Sequence, residues 1–231
     1  MRPVRSNFGT SFELRLLWPI LLMGLAAWGF LEIAGEVLEG DARAIDQWIL
    51  QLCRSGTLPN QPIGPVWFQE AMRDVTALGS PAVLVLTVGA VCGYLIAARQ
   101  SGMAWLALGS ACSGLSVAVL LKTIFSRARP DAAFHATVAS GYSFPSGHAM
   151  MSAVVYLTLA ALVARLAPRP LLRLYAIGTA ALVALLVGLS RVYLGVHWAS
   201  DVAAGWAAGA AWALLCWLVA DRLGIGRKER P

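Results

Sequence analysis

The chain has 231 residues, 58% hydrophobic and 13% charged, with a mean hydropathy of +0.68. A soluble domain carries about 25% charged residues, so this composition excludes one and marks a single integral membrane domain over 1–231. The net charge of +6 does not point to nucleic acid, because the basic residues stand in short clusters beside apolar runs, the pattern of membrane topology.

Six spans are predicted, near 14–34, 82–98, 104–124, 147–166, 171–190 and 200–220. Each is close to the ~20 residues that cross a ~30 Å hydrocarbon layer. Arg2, Arg5 and Arg15 flank the start of the first span, but its apolar stretch is too long for a signal peptide and no small-x-small cleavage site follows. It is read as a retained helix. The loop 35–81 holds two amphipathic stretches. Ile45, Trp48, Ile49 and Leu52 repeat at helical spacing opposite Asp46, Gln47, Gln51 and Arg54, and Phe68, Met72, Val75 and Leu78 form a second stripe. Both read as interfacial helices that either cover the bundle's rim or shape a lipid entrance. Gly79-Ser80-Pro81 then breaks the chain, with Pro81 suited to a first helical turn. The second span is short and is expected to extend at an end. In the sixth, Gly205-x-x-x-Gly209 predicts close helix packing. The fold class is therefore all-α: a polytopic membrane protein of six transmembrane helices, with interfacial helices between the first and second spans.

Eleven of the 18 Lys and Arg residues fall on the side shared by the termini and loops 2–3 and 4–5. The positive-inside rule puts that side in the cytoplasm and turns loops 1–2, 3–4 and 5–6 outward. Cys92, Cys112 and Cys216 lie in apolar runs and Cys53 in a loop, with no C-x-x-C, so they read as packing residues.

Three segments carry the chemistry: Lys122-x6-Arg129-Pro130, Pro145-Ser146-Gly147-His148, and Ser190-Arg191-x5-His197-x3-Asp201. All fall at outward-facing ends of spans. His197 and Asp201, four apart, share a helical face, where the carboxylate can accept a hydrogen bond from one imidazole N–H, fixing the tautomer and leaving the other nitrogen free to attack phosphorus. Pro145 and Gly147 open the fourth span with free N–H groups and a positive dipole end, an anion site to which Ser146 and Gly147 donate. His148 suits a general acid for the leaving oxygen. Lys122, Arg129 and Arg191 supply three cations that neutralise a phosphoryl group through its transition state. No Asp, Glu, His or Cys cluster has metal-ligand spacing, so neither metal nor cofactor is expected.

With all three motifs complete over residues 122–201, the sequence resembles the type-2 phosphatidic acid phosphatase superfamily of membrane lipid phosphatases. The resemblance implies His197 as nucleophile forming a phosphohistidine, Asp201 as its orienting group and His148 as proton donor. Lys122, Arg129, Ser146, Gly147 and Arg191 would hold the phosphate. Ser190 carries over only weakly, and Arg127 and His135 lie outside the motifs, as solvated loop residues or substrate contacts. The implied reaction is hydrolysis of a lipid phosphate or diphosphate, such as undecaprenyl diphosphate, phosphatidylglycerophosphate or phosphatidic acid, at the periplasmic face of a bacterial inner membrane. The alternatives are a lipid phosphotransferase or lipid A phosphatase using the same site, and a non-enzymatic lipid-phosphate transporter. The expected partners are the lipid substrate and the bilayer, with no nucleic acid; the motifs set no oligomeric state.

Overall fold

A computed structural model describes residues 8–56 and 58–225, with side chains from residue 17 onward. Arg2, Arg5, Arg227, Lys228 and Arg230, and the side chain of Arg15, on which part of the orientation argument rests, lie outside the described residues. Among the described residues the chain forms eight α-helices and no strand: α1 (Phe8–Glu39), α2 (Ala42–Leu52), α3 (Val66–Ala77), α4 (Pro81–Ala97), α5 (Ser101–Phe125), α6 (Gly147–Leu166), α7 (Pro170–Tyr193) and α8 (Ala199–Arg222).

Five of these are long and apolar enough to cross a bilayer: α1 from Leu17 to Glu39, α5, α6, α7 and α8. The sixth span is α4, which meets the same measure only together with α3, across a bend of 51°. The expected extension of this short span is therefore a bent one. Its cause is local: Pro81 starts α4, and the Ser80 side chain accepts from the Val83 N–H at 3.4 Å, capping a new helix. The first helix also runs further than 14–34, to Glu39.

Helix α6 is the centre, packed against α5, α7 and α8, with α1 lying along α8. The interior is rich in Ala, Gly and Ser, while large side chains such as Trp18, Trp28, Leu31, Leu86 and Trp105 face outward. Lipid is as apolar as leucine, so helices associate through close backbone approach and not through burying bulk. Gly205 and Gly209 provide it: a Cβ on Gly205 would sit 2.8 Å from the Ser146 carbonyl oxygen, and one on Gly209 would sit 2.5 Å from that of Met150. Ser110 and Thr158 satisfy each other at 3.0 Å between α5 and α6, so this buried polar pair has no unmet hydroxyl contact.

The two amphipathic helices behave differently. In α3, Phe68, Met72 and Val75 are half-buried, and Phe68 and Met72 pack on Tyr193, Leu194 and Val196 beyond α7, covering the rim. In α2, Ile45, Trp48 and Leu52 face outward, and the buried positions are Ala42, Asp46 and Leu50. The helix does lie amphipathically, yet Asp46, expected on its wet face, is turned into the protein. Arg54, also assigned to that face, donates to the carbonyls of Cys53, Tyr193 and Phe134, tying this loop to the end of α7. These contacts gather the C-terminal ends of α1, α5 and α7 and the N-terminal ends of α6 and α8 at one end of the bundle.

Candidate active site

The three motif segments meet at that end. His197 lies in the turn between α7 and α8 and is 2% exposed. Its Nε2 is 3.0 Å from Arg129 Nη1, and its Nδ1 is 3.3 Å from Asp201 Oδ2. A guanidinium only donates, so Nε2 is the accepting nitrogen and Nδ1 carries the proton, donated to Asp201. The contacts themselves thus fix the tautomer expected from the i, i+4 spacing. Burial pushes the His197 imidazole down to about 4, with the hydrogen bond and charge of Asp201 opposing. The ring is therefore neutral at physiological pH, with the Nε2 lone pair engaged by Arg129.

Asp201 is fully buried at the third position of α8. Its Oδ2 accepts from the Trp198 N–H at 2.9 Å, the reciprocal half of a capping box, and from the Ser143 hydroxyl. Its Oδ1 accepts from Arg127 Nη1 at 2.7 Å. Every lone pair that matters has a donor, so the carboxylate is held at one orientation.

Arg129 is held by backbone carbonyls. Its Nη1 donates to Val196 at 2.7 Å, Nε to Gly141 at 3.0 Å and Nη2 to Ser140 at 2.9 Å. Lys122 Nζ donates to the Tyr142 carbonyl at 2.7 Å, and its Cε lies 3.5 Å from where a Gly147 Cβ would be. A Cβ at 147 would meet that lysine at ordinary van der Waals distance. Arg191 is buried, with Nη1 donating to Thr76 Oγ1 at 3.1 Å. Ser146 precedes α6 with no side-chain cap bond, so the first N–H groups of α6, from Gly147 onward, are open donors. His148 lies within electrostatic reach of Arg191, His197, Arg129 and Lys122.

Among the described residues, three buried side-chain polar atoms lack a protein partner: Arg54 Nε, Ser146 Oγ and Arg191 Nε. Native interiors leave few such groups unmet, and two of these three belong to the set predicted to hold phosphate. All eight predicted site residues are thus in one neighbourhood. Ser190 only packs, its hydroxyl donating to the Val187 carbonyl at 2.6 Å. His135 Nε2 pairs with the Pro130 carbonyl at 3.0 Å. Arg127 is neither a solvated loop residue nor a free cation: it bridges Asp201 and Asp46 and lies 5.8 Å from the Trp198 ring centroid. Sequence reasoning missed Asp46, Ser143 and Thr76, none of which falls in a motif.

An apolar cavity of about 410 Å³ runs between α4, α5 and α6 and ends at Lys122, Gly147 and His148. Its walls include Val85, Leu115 and Val119, which are also exposed, so it opens sideways through the apolar face of the bundle.

A family model described as the PAP2 superfamily matches residues 103–225. Phosphatidylglycerophosphatase B of Bacillus subtilis (strain 168) is 31% identical over 183 residues, covering 78% of this chain and 85% of its own. The lipid A 1-phosphatase of Rhizobium etli is 37% identical over 128 residues, 52% of this chain and 50% of that protein. The crystal structure of a transmembrane PAP2 type phosphatidylglycerolphosphate phosphatase from Bacillus subtilis matches with a TM-score of 0.77 and 27% identity, covering 92% of this chain and 98% of that one.

Proposed function

The chain belongs to the PAP2 superfamily, and from that premise we propose that it is a membrane phosphatase that hydrolyses a lipid phosphate or diphosphate through a phosphohistidine on His197, without a metal. One observation carries the reading. A neutral, oriented His197 stands in one neighbourhood with two unpartnered buried donors, Ser146 Oγ and Arg191 Nε, and an apolar groove ends beside them at Lys122, Gly147 and His148.

In the first step the Nε2 lone pair attacks phosphorus, and Arg129 turns its donated hydrogen from that lone pair to a phosphoryl oxygen. Lys122, Arg129, Arg191, Ser146 Oγ and the Gly147 N–H spread the charge of the three equatorial oxygens. The bond to the leaving lipid oxygen breaks, and His148, at the groove's end, gives that oxygen a proton that it takes up when the bound phosphate's negative charge offsets Arg191, Arg129 and Lys122 around it. In the second step water attacks the phosphohistidine, His148 takes its proton back, and phosphate departs. Asp201 offsets the positive charge that the His197 ring acquires while phosphorylated.

The substrate panel is phosphatidylglycerophosphate, undecaprenyl diphosphate, phosphatidic acid and the 1-phosphate of lipid A. The first is favoured by the Bacillus relative matched over 78% of this chain, the last by the rhizobial relative. The Lys and Arg bias supports cytoplasmic termini and a site on the periplasmic face of an inner membrane. The test is phosphate release by the purified protein in detergent with EDTA, run on the four lipids in parallel. Release that persists in EDTA, with a phosphoenzyme stable to alkali and labile to acid, is the expected result. Release abolished by EDTA would overturn the metal-free mechanism.

Two predictions follow from the geometry. The acid-side fall of kcat/KM should lie near pH 4, where His197 gains its proton and loses the attacking lone pair; a fall centred near the ordinary histidine value of about 6.5 would contradict it. Val85→Trp, which narrows the groove from α4, a helix that carries none of the phosphate residues, should raise KM about tenfold for long-chain lipids and leave a dioctanoyl substrate nearly unchanged. Parallel kinetics on the two chain lengths would check it, and an equal loss for both would remove the groove from substrate binding.

A further inference from the structure

We propose that Asp46, on the amphipathic helix α2 and outside every motif, is a positioning residue for the reaction: it holds Arg127 and the start of α8 so that Asp201 keeps its orientation and charge toward His197. This rests on His197 being the nucleophile. Asp46 is 2% exposed, although its neighbours Ile45 and Gln47 are exposed. Burying a carboxylate costs too much unless it is paired and bonded on all sides, and this one is. Its Oδ2 accepts from Arg127 Nη2 at 2.8 Å and from the Ser200 hydroxyl at 2.5 Å. Its Oδ1 accepts from the Ser200 N–H at 2.9 Å. That N–H is one of the donors that the first turn of α8 leaves open, so Asp46 caps α8 from a helix 154 residues away in sequence.

Arg127 is therefore shared. One amino group serves Asp46; the other serves Asp201 Oδ1 and the Ser200 hydroxyl, each at 2.7 Å. The three groups Asp46, Arg127 and Asp201 carry one net negative charge. That charge is what a cationic, phosphorylated imidazole needs opposite it. Were Asp46 neutral, Arg127 would be left to cancel Asp201 alone, and it could close on both Asp201 oxygens as a two-toothed clamp. Oδ2 would then be drawn from His197 Nδ1, whose bond at 3.3 Å is already long. The other charged or titratable groups facing the cluster are Arg129, Lys122 and Arg191 on the side of Asp201 and His197, with His148 beyond them, and Arg43, which with Arg129 and Trp198 lines a cavity of about 340 Å³ beside Asp46 and Arg127.

Asp46→Asn keeps the shape and removes the charge. Its kcat is expected to fall about tenfold with KM within about twofold, since the transition state loses stabilisation that the bound substrate does not use. With a negative charge removed, protonated His197 is less favoured, so the acid-side fall of kcat/KM should move to lower pH. Asp46→Glu should restore part of kcat and return the acid limb toward the wild-type position. Ser200→Ala, a milder cut in the same network, keeps the test open if Asp46→Asn folds poorly; its kcat should fall about threefold with the same direction of pH shift. An unchanged acid limb in both variants, or a loss confined to KM, would overturn the proposal and leave Asp46 as a structural anchor. His197→Ala, assayed alongside, separates the two levels. If it is inactive while both network variants behave as wild type, only the role of Asp46 fails. If His197→Ala turns over normally, the nucleophile assignment fails and the proposal falls with it.

Discussion

Replacing His197 by Ala is expected to lower phosphate release by about four orders of magnitude or more while leaving the fold intact. The ring is buried, yet Asp201 would keep Ser143, the Trp198 N–H and Arg127 as partners, so the buried carboxylate is not stranded. In the proposed mechanism His148 does not stand in as nucleophile, because it ends the apolar groove and is assigned to the leaving oxygen. His148→Ala should differ in kind. A loss of about 10²–10⁴-fold is expected for a lipid alcohol leaving group, shrinking greatly for an aryl phosphate whose leaving oxygen needs no proton. Steady-state assays of both variants on a lipid and an aryl phosphate, with thermal melting in detergent as the folding control, give the comparison. Aryl phosphate turnover by His197→Ala at the wild-type rate would sink the phosphohistidine mechanism.

A large loss of stability is expected from Gly209→Val. A Cβ there would lie 2.5 Å from the Met150 carbonyl oxygen and 2.7 Å from the Ala153 Cβ. The first contact is with backbone, which cannot swing aside as a flexible side chain would. Helices α6 and α8 would have to separate, at a cost of about 3 kcal/mol. The damage would also reach the site, since the Ser146 N–H donates to the Asp201 carbonyl at 2.9 Å just above this contact. Gly109→Val is the control: nothing lies within 4 Å of a Cβ at that position. The measurement is the midpoint of thermal aggregation in detergent, and equal midpoints for the two variants would contradict the packing account.

The spans were legible because apolar length is nearly a sufficient signal for a membrane helix, and the bend before α4 was legible in Gly79-Ser80-Pro81. The motif residues were legible because their chemistry is unusual at the ends of apolar runs. Asp46 and Arg127 were not. On a helical wheel Asp46 sits among Gln47, Gln51 and Arg54, which reads as a wet face, and only the approach of α8 converts that face into an interior. Arg127 falls between two motif positions, where spacing says nothing about partners. Thr76 was hidden for the same reason: its bond to Arg191 spans 115 residues and depends on how the α3–α4 corner meets α7.

The groove between α4, α5 and α6 opens sideways, whereas Ser140, Gly141 and Tyr142, whose carbonyls hold Lys122 and Arg129, are themselves exposed at the end of the bundle. On the proposed hydrolysis the two products would therefore part along different directions, the lipid into the plane of the bilayer and the phosphate into water. For such an arrangement the concentration that governs the rate is the mole fraction of substrate within the membrane. Diluting the lipid with inert phospholipid at fixed bulk concentration should slow turnover, whereas adding buffer volume at fixed vesicle composition should not.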